Sequence, residues 1–322
     1  MDRLPSLSAL LLGHILACLA ACNSSSGYAT GTGGPLDTSG RYELDQLSPT
    51  DRHFLVGNET RQDIFYPYIR GQGGSYLGVG SEQNYSLIAA SSASLAFIID
   101  IDERVLDYHR MLIGFIRASP NPASLRSRFL EGELTRVKAI LAAENLTAQH
   151  LALWRAIHPR ISMHLQDVAR RPYSTWLSDH KMYQHIRELC LSDRIVVLPG
   201  DLQGASTMRT IARITRKRST TFRTIYLSNA EESLTKRADF AANLGRFTDS
   251  RARVLRTFYR PDWDAADGLW SYQVHQLSDL NHRLQARPEQ VLAQLIDAAH
   301  RDGLLDVVVP HGAVTTIGLD RP

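Results

Sequence analysis

The sequence predicts an α/β protein built on a doubly wound, mostly parallel sheet. Three observations lead there. Apolar runs of strand length alternate with stretches whose apolar residues recur at helical spacing. Runs such as Leu95-Ala96-Phe97-Ile98-Ile99 are continuous, as strands covered on both faces require. The first run also ends in a glycine turn that opens a helix.

The elements follow in order. Residues 41–70 read as a lead-in of short helices and turns. Ser75 to Gly80 is a buried strand and its turn, Glu82 to Ser94 a helix, and Leu95 to Asp100 the second strand. Arg104–Ile116, Pro122–Ala143, Thr147–Ile157 and Ser174–Leu189 each carry apolar residues at helical spacing. That is more than one crossover needs, so about 104–190 reads as a helical insertion after the second strand, packed over one end of the sheet. Arg194 to Asp201 is a strand, and Ser206 to Arg218 a helix with Ser206 as its N-cap. Strands at 221–228 and 254–259 flank a helix at 231–244. Trp270, Tyr272 and Val274 alternate with polar residues as in an edge strand. A helix at 288–300 stops at Gly303, and 304–309 is a last strand.

Composition bounds the function. The chain has 322 residues, 43% hydrophobic and 21% charged, which is ordinary globular usage. Lys and Arg total 36 against 33 Asp and Glu, a formal net charge of +3. That balance, with no interleaving of aromatic and basic residues, argues against nucleic acid as a partner. Three cysteines build no disulfide framework. No nucleophile elbow and no phosphate-binding lysine loop occurs. His158, His164, His180 and His185 read as surface or core-edge residues rather than metal ligands, and Cys190 as a buried structural thiol. The cations Arg213, Arg216, Lys217 and Arg218 fit a helix C-terminus favoured by the macrodipole; contact with an anionic lipid or polymer is the alternative.

The N-terminus reads as an address. Leu4 to Ala21 is an apolar run ending in Leu19-Ala20-Ala21-Cys22, which resembles the lipobox of bacterial lipoproteins. The resemblance implies a signal peptide over 1–21, lipidation of Cys22 and an extracytoplasmic, membrane-anchored body. Asn23 then favours the outer membrane, by the sorting pattern of lipoproteins from double-membraned bacteria. Residues 22–40, rich in Gly, Ser and Thr, read as a flexible tether with a reach of about 20–25 Å. The domain proper is 41–322.

The site reading rests on strand ends. Gly78 and Gly80 let a ligand approach the backbone, and Asp100 and Asp201 close the second and third strands, where ligands bind in open α/β sheets. Gly73 to Gly80, Ile99 to Asp102, Leu198 to Leu202 and Ile225 to Asn229 are together similar to the successive motifs of class I S-adenosylmethionine-dependent methyltransferases. More narrowly they resemble bacterial lipoproteins sharing that Rossmann-like fold. The resemblance implies that Gly78 and Gly80 cradle the cofactor's methionine part, Asp100 holds its ribose and Asp201 its adenine amine. Ser228 and Asn229 then face the substrate. Two positions depart from the family pattern: Tyr76 replaces an acid, and Glu82 replaces a glycine and brings a like charge toward the cofactor's carboxylate. An exported body also meets no obvious supply of the cofactor. Two functions follow: a ligand-binding or interaction module that keeps the fold, taking a nucleoside-like small molecule if any, or an active methyltransferase. No metal is implied.

Overall fold

The computed structural model describes residues 43–48, 50, 54–259, 267–303, 305–308 and 314–319. Its strands are β1 (Ser75–Val79), β2 (Leu95–Asp100), β3 (Ile195–Pro199), β4 (Phe222–Ser228), β5 (Arg253–Phe258), β6 (Ser271–Gln276), β7 (Leu305–Val308) and β8 (Val314–Ile317). They form one eight-stranded sheet in the order β3-β2-β1-β4-β5-β6-β8-β7. From β3 to β5 every pairing is parallel; β6 runs antiparallel to β5 and pairs in parallel with β8, and β7 is antiparallel to β8. The chain steps outward from β1 to β3, then returns to the far side of β1 as β4. The strand order therefore reverses between β1 and β4, a topological switch point.

The helices divide by face. Those on the first face are α1 (Tyr66–Ile69), α2 (Gln83–Ser91), α3 (Glu103–Arg117), α4 (Pro122–Ser127), α5 (Leu134–Ala143), α6 (Ala148–Ala169) and α7 (His180–Leu191). Their apolar residues share one core with Tyr76, Ala96, Ile98, Tyr226 and Leu255 of the sheet. On the second face, α8 (Thr207–Lys217), α9 (Arg237–Leu244) and α10 (Leu277–Ala286) pack on Leu77, Phe97, Ile99, Ile225 and Val254. α11 (Leu292–Arg301) joins Phe258 and Ile317 there. Alternate residues of each strand thus serve opposite cores, which explains the continuous apolar runs.

Several expectations change. The helices between β2 and β3 cover a face of the sheet, sharing the core of α1 and α2, rather than capping one end. The stretch expected as one helix over 122–143 breaks after Ser127 and resumes at Leu134, with a 3-10 turn at Glu131–Glu133 beside Gly132. α6 runs past Ile157 through Pro159 to Ala169; Pro159 is exposed, so the carbonyl it leaves unbonded faces water. α7 starts at His180, where the Asp179 carboxylate accepts the Lys181 and Met182 N–H groups, not at Ser174. Ser206 occupies the N-cap position of α8, but its hydroxyl makes no cap bond. The helix expected over 231–244 divides into a 3-10 turn, Ala230–Ser233, and α9.

β6 is an interior strand, not an edge. Its polar residues Ser271, Gln273 and His275 are buried as fully as its apolar ones. His275 faces Arg256 of β5, whose Nη1 donates to both oxygens of buried Glu231, at 3.0 and 2.8 Å. Alternation there separates an apolar from a buried polar face, and water touches neither. α10 and β8 were not anticipated. The leader 1–21, Cys22 and the tether 22–40 lie outside the described residues; the described ones fall in the unit 34–322.

Candidate functional site

The carboxyl ends of the parallel strands carry every residue expected to bind. Gly78 lies within β1. A Cβ there would stand 1.9 Å from Asn84 Oδ1 and 2.9 Å from the Tyr76 hydroxyl, so the glycine makes room for the protein's own side chains. Tyr76 donates to Asn84 Oδ1 at 2.8 Å, and Asn84 Nδ2 donates to the carbonyls of Val79 and Ser81 at 2.9 and 2.8 Å. Gly80 turns the chain with φ +81°, and its carbonyl lies 2.8 Å from His109 Nε2. Burial pulls the His109 imidazole down to about 4, against the bond to Gly80, so it is neutral at pH 7.

Asp100 ends β2 and does meet the Gly80 turn. Its carboxylate accepts the Asp102 N–H at 2.8 Å, and the backbone amides of Gly80 and Ile101 lie near enough to favour its charged form. Burial nonetheless pushes the carboxyl up to about 6, the backbone donors offsetting only part of the desolvation. Asp201, after β3, folds onto its own loop: Oδ1 accepts the Gln203 N–H at 3.0 Å. The two acids sit on neighbouring strands, where the Gly200 N–H donates to the Asp100 carbonyl at 3.0 Å, yet each carboxylate serves separate backbone donors. Asn229, half-buried after β4, donates to Glu232 at 3.3 Å.

Ser228 leads to a residue that sequence reasoning missed. Its hydroxyl donates to Glu59 Oε1 at 2.6 Å, and Thr257 of β5 donates to the same oxygen at 2.5 Å. The Tyr226 hydroxyl bonds to Glu59 Oε2. Glu59 is 1% exposed; burial raises its pKa, and the three hydroxyls oppose that shift. The lead-in thus places a carboxylate on the ends of β4 and β5, beside the switch point. Its neighbours tie it down. Ser81 donates to the Leu55 carbonyl at 2.6 Å, the Arg61 N–H donates to the Tyr272 hydroxyl at 3.0 Å, and Tyr173 donates to the Thr60 carbonyl at 2.6 Å.

A second lead-in acid occupies the loop after β3. Asp45 accepts the N–H groups of Asp201 at 3.2 Å and Ser206 at 2.8 Å, and its own N–H donates to Thr207 at 2.8 Å. Leu44 packs on the second core while Leu55, Ile64 and Phe65 belong to the first. The lead-in therefore engages both faces of the sheet at its carboxyl edge. The sequence held one signal for this. Tyr226 lies between Ile225 and Leu227 in an apolar strand, and a buried tyrosine hydroxyl needs a partner. Nothing in the periodicity of 54–60 identifies Glu59 as that partner.

Glu82 does not repel a ligand's carboxylate at the turn. It is buried, 2.7 Å from Ser81 Oγ, whose proton it shares with the Leu55 carbonyl, and it accepts from His164 Nε2 of α6 at 2.5 Å. Burial alone would raise the Glu82 pKa, but the His164 charge and hydrogen bond bring it below its ordinary value. Cys190 is buried and free, its thiol pushed up to about 12 by burial. Among the described residues no three His, Cys, Asp or Glu side chains gather as a metal site. An open cavity of about 560 Å³ lies beyond β2 and β3, lined by Asp45, Ile101, Asp102, Glu103, Gln149 and Pro199 among others.

S-adenosylmethionine, implied by the family resemblance, would need the space above Gly78, the Gly80 turn and the oxygens of Asp100. The residues present do not fit it. Tyr76 and Asn84 fill the space above Gly78, and Asp100 Oδ1 is already taken by the Asp102 N–H.

Residues 54–312 match the model of a family described as a domain of unknown function, DUF7790. None of the curated proteins compared with the chain matches it. Among solved structures, the chain is similar to the rRNA methyltransferase aviRa from Streptomyces viridochromogenes. One structure of it gives 12% identity and a TM-score of 0.34, covering 70% of this chain and 84% of that one. Another gives 12% identity and 0.31, covering 62% and 72%.

Proposed function

The chain belongs to the DUF7790 family, and from that premise we propose that it is a lipid-anchored, extracytoplasmic interaction module with a methyltransferase-like fold. In this reading the fold is kept while its ligand crevice is filled by the protein's own N-terminal segment. One observation carries the proposal: the Glu59 carboxylate, buried among the hydroxyls of Tyr226, Ser228 and Thr257 at the switch point. Open α/β sheets place a ligand in that crevice, and here a carboxylate of the same chain takes the polar groups. The tetrapeptide ending in Cys22, with the Gly- and Ser-rich residues after it, supports the anchor.

Calorimetry of the full chain with S-adenosylmethionine tests the first half. No micromolar binding is expected. Micromolar binding abolished by Asp100→Ala would replace this reading with the methyltransferase one. Radiolabelled palmitate tests the second half: label is expected in the wild type and absent from Cys22→Ser. Equal labelling of both would end the anchored reading.

A further inference from the structure

The charged side chains that α8 itself turns to solvent are all cationic. Its exposed positions include Arg209, Arg213, Arg216 and Lys217, while Met208, Ile211, Ala212 and Ile214 are buried in the second core. The helix contains no acid, and half-buried Arg218 follows at its C-cap. Without these five cations the chain's formal +3 would become negative. The macrodipole explains Arg216 and Lys217, which lie in the last turn. It works against Arg209 in the first turn and does not reach Arg213 in the middle. Arg209 to Lys217 spans about 12 Å at the helical rise, comparable with a Debye length of about 8–10 Å, so the four cations act as one field.

A second observation gives this stripe a direction. Residues 1–42 join the described fold at Glu43, and Glu43 lies on α8. Its carbonyl accepts from Thr210 Oγ1 at 2.8 Å, and its carboxylate is 3.8 Å from Arg209. Glu43, the first described residue after the segment bearing Cys22, therefore lies beside the cationic face.

We propose that the basic face of α8 is a docking surface for an anionic phospholipid membrane, the same membrane that holds the lipid on Cys22. The inference rests on the anchored reading above. A flexible tether entering the fold next to α8 keeps this helix within reach of the bilayer, and the cations orient it. The stripe is convex and bears no aromatic side chain, so it suits attraction to a plane of anionic headgroups rather than insertion. Such attraction is worth about fivefold in affinity per cation near the surface.

The test uses the full chain and two kinds of vesicle, phosphatidylcholine alone and phosphatidylcholine with about a third phosphatidylglycerol. Whatever the leader or the lipid contributes is the same in wild type and variant, so the change in the anionic excess between them isolates the stripe. An excess is expected at low salt and lost at high salt, and it should fall at least tenfold in the triple variant Arg213→Glu, Arg216→Glu, Lys217→Glu. The corresponding triple Gln variant should lie between. All three changes are at exposed positions, and an unaltered melting curve checks that the fold is kept. Equal binding to both vesicles, or an excess unchanged in the Glu variant, overturns the proposal. So does retention on heparin without a vesicle excess, which would indicate an acidic polymer instead. Palmitate labelling of the same samples separates the two readings. Label without an anionic excess removes the docking surface alone. An excess without label keeps the lipid-facing surface and removes the anchor.

Discussion

The two halves of the sheet's carboxyl edge solve one electrostatic problem in opposite ways. At the ends of β4 and β5 a carboxylate, Glu59, is buried and held by three side-chain hydroxyls. At the ends of β2 and β3 the acids stay at a partly open edge, and each takes backbone N–H groups of its own loop. The first half is closed by a segment distant in sequence, while the second keeps an open cavity beside it. A carboxylate without water needs donors fixed in advance. One beside water needs only local backbone. The contrast teaches that a strand-end acid marks the edge of the sheet without showing that a ligand sits there.

The strongest way to break the comparison is Glu59→Ala. It strands three buried or half-buried hydroxyls and should destabilise the fold by about 3 kcal/mol, read by urea denaturation. A loss below about 0.5 kcal/mol, the level of an ordinary surface change, would mean that the closed half is not held by this residue.

The pair of buried Glu82 and half-buried His164, next to the Gly80 turn, gives the next effect, and it depends on pH. Glu82 lies below its ordinary 4.5, so its contribution is present above pH 4.5 and lost as pH falls through the folded value. His164, pulled down by burial but raised further by Glu82, lies above its ordinary 6.5; its contribution is present below pH 6.5 and lost as pH rises through the folded value. The pair is therefore fully effective between about pH 4.5 and 6.5. His164→Gln keeps a donor but not the charge, and should cost about 1.5 kcal/mol in that window and little at pH 9. Melting temperatures of both proteins across pH should converge on the alkaline side.

Asp45→Ala sharpens the contrast from the other half. Asp45 caps the backbone N–H groups of Asp201 and Ser206. Its loss should cost about 1 kcal/mol, as for a helix N-cap, with faster amide exchange over 201–206 and no change near Glu59. The smallest effect belongs to Ile101, which is 54% exposed at the open cavity. Ile101→Lys should change stability by no more than about 0.5 kcal/mol, and a larger loss would show that this end of the edge is packed rather than open.

Legibility in the sequence followed the range of the forces involved. β2 was readable to the residue because its apolar run is continuous and both cores demand it. β6 was misplaced because polar side chains on a strand look alike whether they meet water or buried Arg256 and Glu231. The glycines at 78 and 80 were found, but the occupant of the space above Gly78 was not, since Asn84 fills it from the following helix. Ser228 was found without its partner, because Glu59 stands 169 residues away.

The alternation of strands and helices as far as β6, the strand-end acids at 100 and 201 and the cationic side of α8 were set by the sequence alone, because periodicity, turns and net charge are local properties. Which polar group answers which is a different matter. Only the folded chain decided that Glu59 closes the switch point, that Glu82 turns to His164, and that Glu43 packs beside α8. A buried charge selects its partner by distance in space, and that distance is fixed only when both faces of the sheet have packed.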